Sequence, residues 1–127
     1  MLRVLLLLAA LFGFTGVGLG AFAAHGLQGQ LSAEYLAVFH TAVHYQMLHA
    51  LALLALAGLW PRLGGRLLVA AGLCFCAGIL LFSGSLYALT LTGIRALGMI
   101  TPVGGLTLLA GWWCLGLAAW RLPAGAA

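Results

Sequence analysis

The groups able to do chemistry are concentrated in one stretch. It reads Glu34-Tyr35-Leu36-Ala37-Val38-Phe39-His40-Thr41-Ala42-Val43-His44-Tyr45-Gln46-Met47-Leu48-His49 and lies within an apolar region. Two histidines four residues apart share one helical face and can share a metal, and imidazole with a thioether suits copper. His40, His44 and Met47 form such a stripe. No carboxylate or thiolate falls on it, and one helix offers too few ligands for copper or zinc. Neither a metal nor a cofactor is therefore expected. Proton relay is a third reading, and interhelical hydrogen bonding is the preferred one. Tyr45 and His49 lie on the opposite side, with Gln46 in another direction. A neutral histidine buried in a span needs a hydrogen-bond partner, such as a serine.

Phe82-Ser83-Gly84-Ser85-Leu86-Tyr87 supplies such partners. Ser83 and Tyr87 are four apart on one face. Gln46 and His49 are thus expected to be buried and bonded to Ser83, Ser85 or Tyr87. The functional alternative is that these hydroxyls line a polar cavity with His44 or His49. Gly72, Gly78 and Gly84 permit close approach of a neighbouring backbone. Trp112-Trp113 falls at mid-span, away from the interface that tryptophan prefers, so one indole N–H is expected to have a buried partner.

Other chemistries are excluded by composition. The chain has a single acidic residue, Glu34, and no aspartate. Hydrolysis by a triad or a carboxylate dyad is thereby removed. Gly104-Gly105 lacks the G-K-[ST] continuation of a phosphate loop. Cys74, Cys76 and Cys114 are odd in number with no C-x-x-C, so neither a disulfide framework nor a zinc site is indicated. Cys74 and Cys76 lie roughly 200° apart on a helix and cannot hold one ion together. All three read as small buried thiols. No enzymatic activity is expected.

The elements that carry these residues follow from hydropathy. Hydrophobic residues make up 65% of the 127 positions and charged residues 5%, against about 25% charged in soluble domains. The solvent is lipid. Four runs reach the roughly 20 apolar residues of a span: residues 2–24, 33–60, 67–90 and 103–120. The expected fold is an all-α membrane protein, a four-transmembrane-helix bundle forming one domain over residues 1–127. The first run also has features of a signal peptide, with Arg3 and Ala21-Phe22-Ala23. It exceeds an h-region of about 7–15 residues. It also carries the small-residue ridge Gly16, Gly20 and Ala24, which suits helix contact. It is read as a retained helix.

Ser32 is a candidate N-cap for the second helix, Trp60-Pro61 its close, Gly64-Gly65 a turn, and Pro102 the first residue of the fourth helix. Counting back from Trp60 at about 1.5 Å per residue places His40 near the far boundary and His49 near the midplane. Polar groups all round this half of the helix imply that little of it faces lipid. It is either the central helix or a contact with another subunit, in a homo-oligomer or a larger membrane complex. Arg3, Arg62, Arg66 and Arg121 fall on one side of the bilayer, and Arg95 falls on the other with Glu34, where the two are placed to pair. The arginine-rich side is expected to be cytoplasmic, with both termini there and the protein in the inner (plasma) membrane. Arginines scattered singly form no basic stripe, so no nucleic-acid partner is expected.

Four segments together resemble a known family. They are Gly20-Ala21-Phe22-Ala23-Ala24-His25-Gly26-Leu27, Thr41-Ala42-Val43-x-Tyr45-Gln46-Met47-x-His49-Ala50-Leu51, Phe82-Ser83-Gly84-Ser85-Leu86-Tyr87 through Leu91-Thr92-Gly93, and Ile100-Thr101-Pro102-x-Gly104-Gly105. The chain resembles, in register over nearly its whole length, the YgdD/YwdK family of small multi-pass membrane proteins of unknown function. The resemblance implies a four-helix inner-membrane protein and no activity. His40 lies outside the pattern, which leaves His25, Gln46 and His49 as candidates for a shared role. The candidate polar cluster is His25, Glu34, His44, Tyr45, Gln46, His49, Ser83, Ser85 and Tyr87. Two functional expectations remain. One is a non-enzymatic membrane module or accessory subunit. The other is a small transporter or proton/ligand-binding protein with an outward-facing polar cavity. Four helices enclose little cavity, and no internal repeat of the transporter kind is evident.

Overall fold

A computed structural model describes residues 1–122 as α1 (Leu2–His25), α2 (Ala33–Leu63), α3 (Arg66–Thr92), a 3-10 turn (Arg95–Met99) and α4 (Thr101–Trp120). All four α-helices are long and apolar enough to cross a membrane. At about 1.5 Å per residue each reaches the roughly 30 Å of a hydrocarbon core.

The helix ends follow local chemistry. The Ser32 hydroxyl accepts from the Tyr35 N–H at 3.2 Å and caps α2. Its C-terminus corrects the expected stop at Trp60-Pro61. The helix continues through Pro61 to Leu63. Proline removes one N–H, but the Gly64 N–H still reaches the Trp60 carbonyl at 2.9 Å and closes the last turn. The end of α3 is Gly93 in the left-handed region, φ 74°, with its N–H on the Leu89 carbonyl at 2.8 Å. Pro102 sits in the first turn of α4, where its missing N–H has no intrahelical partner to lose.

In the bundle α1 lies on α2, α2 on α3, and α3 on α4. The inner pair is the more enclosed. Within the most apolar window, 44% of α2 and 39% of α3 is buried, against 17% for α1 and 22% for the fourth span. Short connections make neighbours antiparallel, so Arg3, Arg62, Arg66 and Arg121 share one end and Glu34 and Arg95 the other. The larger apolar core joins Leu5, Phe12, Leu53, Leu56, Leu68, Phe75, Ile79 and Leu108. A smaller cluster around Ala23, Leu27 and Phe39 lies toward the Glu34 end. Along α2, Gln46 and His49 fall between the two.

Small residues set how closely the helices approach. Gly104 of α4 rests on the α3 backbone, where a methyl would come within 2.7 Å of the Phe82 Cα. Gly78 receives the Leu108 side chain. On the other side of the bundle, Gly16 receives the Met47 sulfur and Gly20 lies beside Val43, so the ridge on α1 is a contact with α2. Of the three glycines expected to admit a neighbouring backbone, Gly78 does so at Leu108, Gly72 receives only the Leu5 and Leu56 side chains, and Gly84 does not, since a methyl there would meet nothing within 4 Å. The outward faces of α1 and α4 are apolar, with Phe14, Val17, Leu106, Leu109, Trp113 and Trp120 largely exposed. In water this would be an aggregating surface, whereas in lipid it is the solvated one.

Candidate functional site: a closed polar network between the helices

Gln46 is the hub, 4% exposed. Its Nε2 donates to the Phe12 carbonyl and to the Thr15 hydroxyl, both at 2.9 Å. Its Oε1 accepts from the Tyr87 hydroxyl at 2.8 Å. One amide thus joins α1, α2 and α3. The Thr15 hydroxyl donates to the Leu11 carbonyl at 2.8 Å, which leaves its oxygen free to accept from Gln46. The approach depends on Gly16, where a methyl would press within 3.4 Å of the Gln46 amide and against Met47.

His49 is 3% exposed and ties α2 to α4. Its Nε2 accepts from the Trp112 indole N–H at 3.1 Å. An indole nitrogen only donates, so Nε2 carries the lone pair. The ring proton therefore sits on Nδ1, which donates to the Tyr45 carbonyl at 2.8 Å. This neutral tautomer uses both ring nitrogens. The imidazole lies against Phe75 and Trp112, with ring centroids at 5.4 and 6.0 Å.

The hydroxyls of α3 diverge. Ser83 donates to the Ala42 carbonyl of α2 at 2.7 Å. Ser85 meets the Thr101 hydroxyl of α4 at 2.7 Å and donates to the Phe82 carbonyl at 3.0 Å. Two residues apart on a helix is roughly 200°, so the pair reaches opposite neighbours. This corrects the expected partner of His49. Both serines are engaged elsewhere, and the imidazole takes the indole of Trp112. For Gln46 the expected Tyr87 is the partner. Among the described residues, no buried side-chain nitrogen or oxygen lacks a hydrogen bond.

The rest of the candidate cluster stands apart. His25, Glu34, His44 and Tyr45 are exposed, and among the described residues none of their side chains hydrogen-bonds into this network, although the Tyr45 ring stacks on His49 with centroids 6.1 Å apart. Tyr45 lies over Phe82 with centroids 4.5 Å apart. Glu34 and Arg95 form no ion pair among the described residues, and the turn that carries Arg95 rests on α3 and α4. Met47 turns toward Gly16 of α1 and away from the outer face bearing His44. Among the described residues no three His, Cys, Asp or Glu side chains come together.

His44 lies at the centre of an exposed stripe on α2. Glu34, Ala37, Thr41, His44, Leu48, Leu51, Ala55 and Gly58 are all exposed. Their spacing alternates three and four, the pattern of left-handed helix packing. Sequence reading missed the roles of Thr15 and Thr101. Thr15 left a signal, being a hydroxyl within an apolar run and next to a glycine.

Fold and site together define a polytopic helical membrane protein whose polar interior is a fully bonded clasp between helices. The comparisons place it further. The chain belongs to the DUF423 family of proteins of unknown function, whose profile matches residues 19–105. It is 47% identical to the UPF0382 membrane protein YwdK of Bacillus subtilis over 87% of this chain and 91% of the relative. It is 45% identical to the UPF0382 membrane protein SAB0533 of Staphylococcus aureus over 94% of this chain and 98% of the relative. A third relative, the UPF0382 membrane protein SH2409 of Staphylococcus haemolyticus, is 46% identical over 87% and 90%. No solved structure matches the chain.

Proposed function

We propose that this protein is a non-enzymatic module of the cytoplasmic membrane, with both termini in the cytoplasm, that works by associating with a second copy of itself through α2. The observation that supports this reading is the contrast between the two faces of that helix. The inward face has every polar atom bonded. The outward face carries Thr41 and His44 exposed within the span. The Thr41 hydroxyl donates to the Ala37 carbonyl of its own helix at 3.1 Å, but lipid offers the His44 ring no partner, and polar side chains in a span usually face protein. Copies inserted the same way present the stripe in parallel, so His44 meets His44 at equal depth. A neutral imidazole both donates and accepts, which makes the contact self-complementary. Ala37, Ala55 and Gly58 let the backbones approach at either side.

Cysteine crosslinking in liposomes tests this. In a variant with Cys74, Cys76 and Cys114 replaced by serine, a cysteine at position 44 should form a crosslinked dimer, and one at position 106 on α4 should not. A cysteine added at the C-terminus of that variant should resist labelling from outside intact cells. A chain that stays monomeric at every lipid ratio would refute the self-association.

A further inference from the structure

The arginine end of the bundle holds a feature that the polar clasp does not explain. Arg62 from the end of α2, Arg66 from the start of α3 and Arg121 at the end of α4 line one cavity of about 480 Å³. Its apolar lining includes Leu63, Leu67 and Leu122. Orientation in the membrane calls for arginines on this side, but not for their convergence. Arg3 satisfies the same rule and does not line the cavity. The only acidic side chain, Glu34, is in the first turn of α2, about 42 Å along that helix from Arg62. Gly64 and Gly65 form part of the wall and leave the backbone open.

We propose that this cavity binds a phosphate presented by an anionic phospholipid headgroup. Guanidinium groups recognise phosphate oxygens with a planar fork of donors. The leucine lining suits the glycerol and the first methylenes of an acyl chain, which a free phosphate would leave unused. A choline headgroup brings a cation toward three arginines and is disfavoured. Basic hollows between helices at a membrane face take such headgroups. The inference needs only that the bundle spans the membrane, and it stands whether or not α2 self-associates.

Native mass spectrometry of the full chain in detergent, titrated with phosphatidylglycerol, phosphatidylcholine or inorganic phosphate, tests the proposal. Phosphatidylglycerol should bind at least about tenfold tighter than phosphatidylcholine. Each basic contact is worth about fivefold, so the triple variant R62Q/R66Q/R121Q should lose up to about a hundredfold. Arg3→Gln should change affinity less than twofold. Should the triple variant fail to insert, Arg121→Gln alone must weaken phosphatidylglycerol at least about threefold. Equal affinity for the two lipids, an unchanged affinity in the arginine variants, or inorganic phosphate competing as well as the lipid would each overturn the assignment.

Discussion

The two outer helices are held to the inner pair by different means. The contact of α1 with α2 is centred on a hydrogen-bonded amide. Gln46 crosses over Gly16 to the Phe12 carbonyl and the Thr15 hydroxyl. The contact of α3 with α4 is centred on shape. Gly104 lies on the backbone at Phe82, and Gly78 takes the Leu108 side chain. Its hydrogen bond, Ser85 to Thr101, sits at the end of α4. In lipid no hydrophobic drive separates helix from solvent, so both devices are available. They fail differently. A bond between helices can be replaced in the separated state by another partner, which limits its net worth. A backbone-to-backbone fit has no substitute.

That difference sets the expected order of mutational effects. The largest belongs to the glycine contact. Gly104→Ala places a methyl against α3 backbone atoms that cannot rotate away. Equilibrium unfolding in mixed micelles should show a loss of about 1–3 kcal/mol. Gly84→Ala is the matched control, because its methyl meets nothing within 4 Å. It should be neutral or slightly stabilising, since alanine is the better helix former by about 1 kcal/mol. If the two variants behaved alike, the α3–α4 contact would not be governed by shape.

The polar contact should give less. Gln46→Leu removes three interhelical hydrogen bonds and leaves the Tyr87 hydroxyl without its partner. At about 0.6 kcal/mol per bond in membranes, the loss should be about 2 kcal/mol or less. The bundle should still insert. Detachment of α1, seen as protease sensitivity of the connection at residues 26–32, would mean that the amide carries more than its share.

The smallest effect is expected for the link between α2 and α4. Trp112→Phe removes the one hydrogen bond to His49 Nε2 and keeps most of the ring contact with Phe75. A double-mutant cycle with His49→Phe should return a coupling of about 0.6 kcal/mol. No coupling would remove the tautomer assignment along with the bond.

Much of this architecture was legible in the residues alone. Four spans, the Ser32 cap, the Pro102 start and the ridge from Gly16 depend on run length and on chemistry within a turn or two. Those terms act locally, so they can be read one segment at a time. Pro61 shows the limit even of local reading. A missing N–H in the last turn was not enough to stop α2 while the following glycine could still close it.

Partner choice was decided by the tertiary structure. Gln46 and His49 had to be satisfied, but several hydroxyls and indoles on three helices could have satisfied them. The rotation of each helix about its axis selects among these, and that rotation goes with which side chain or backbone each glycine admits. Gly84 looked equal to Gly78 and meets nothing. Ser83 and Ser85 looked like one cluster and reach opposite helices. His44 and His49 were read on opposite sides of the helix, and the structure puts one outside and the other against Trp112. A helix presents its residues about 100° apart, so two positions along the chain are enough to exchange the interior for the lipid.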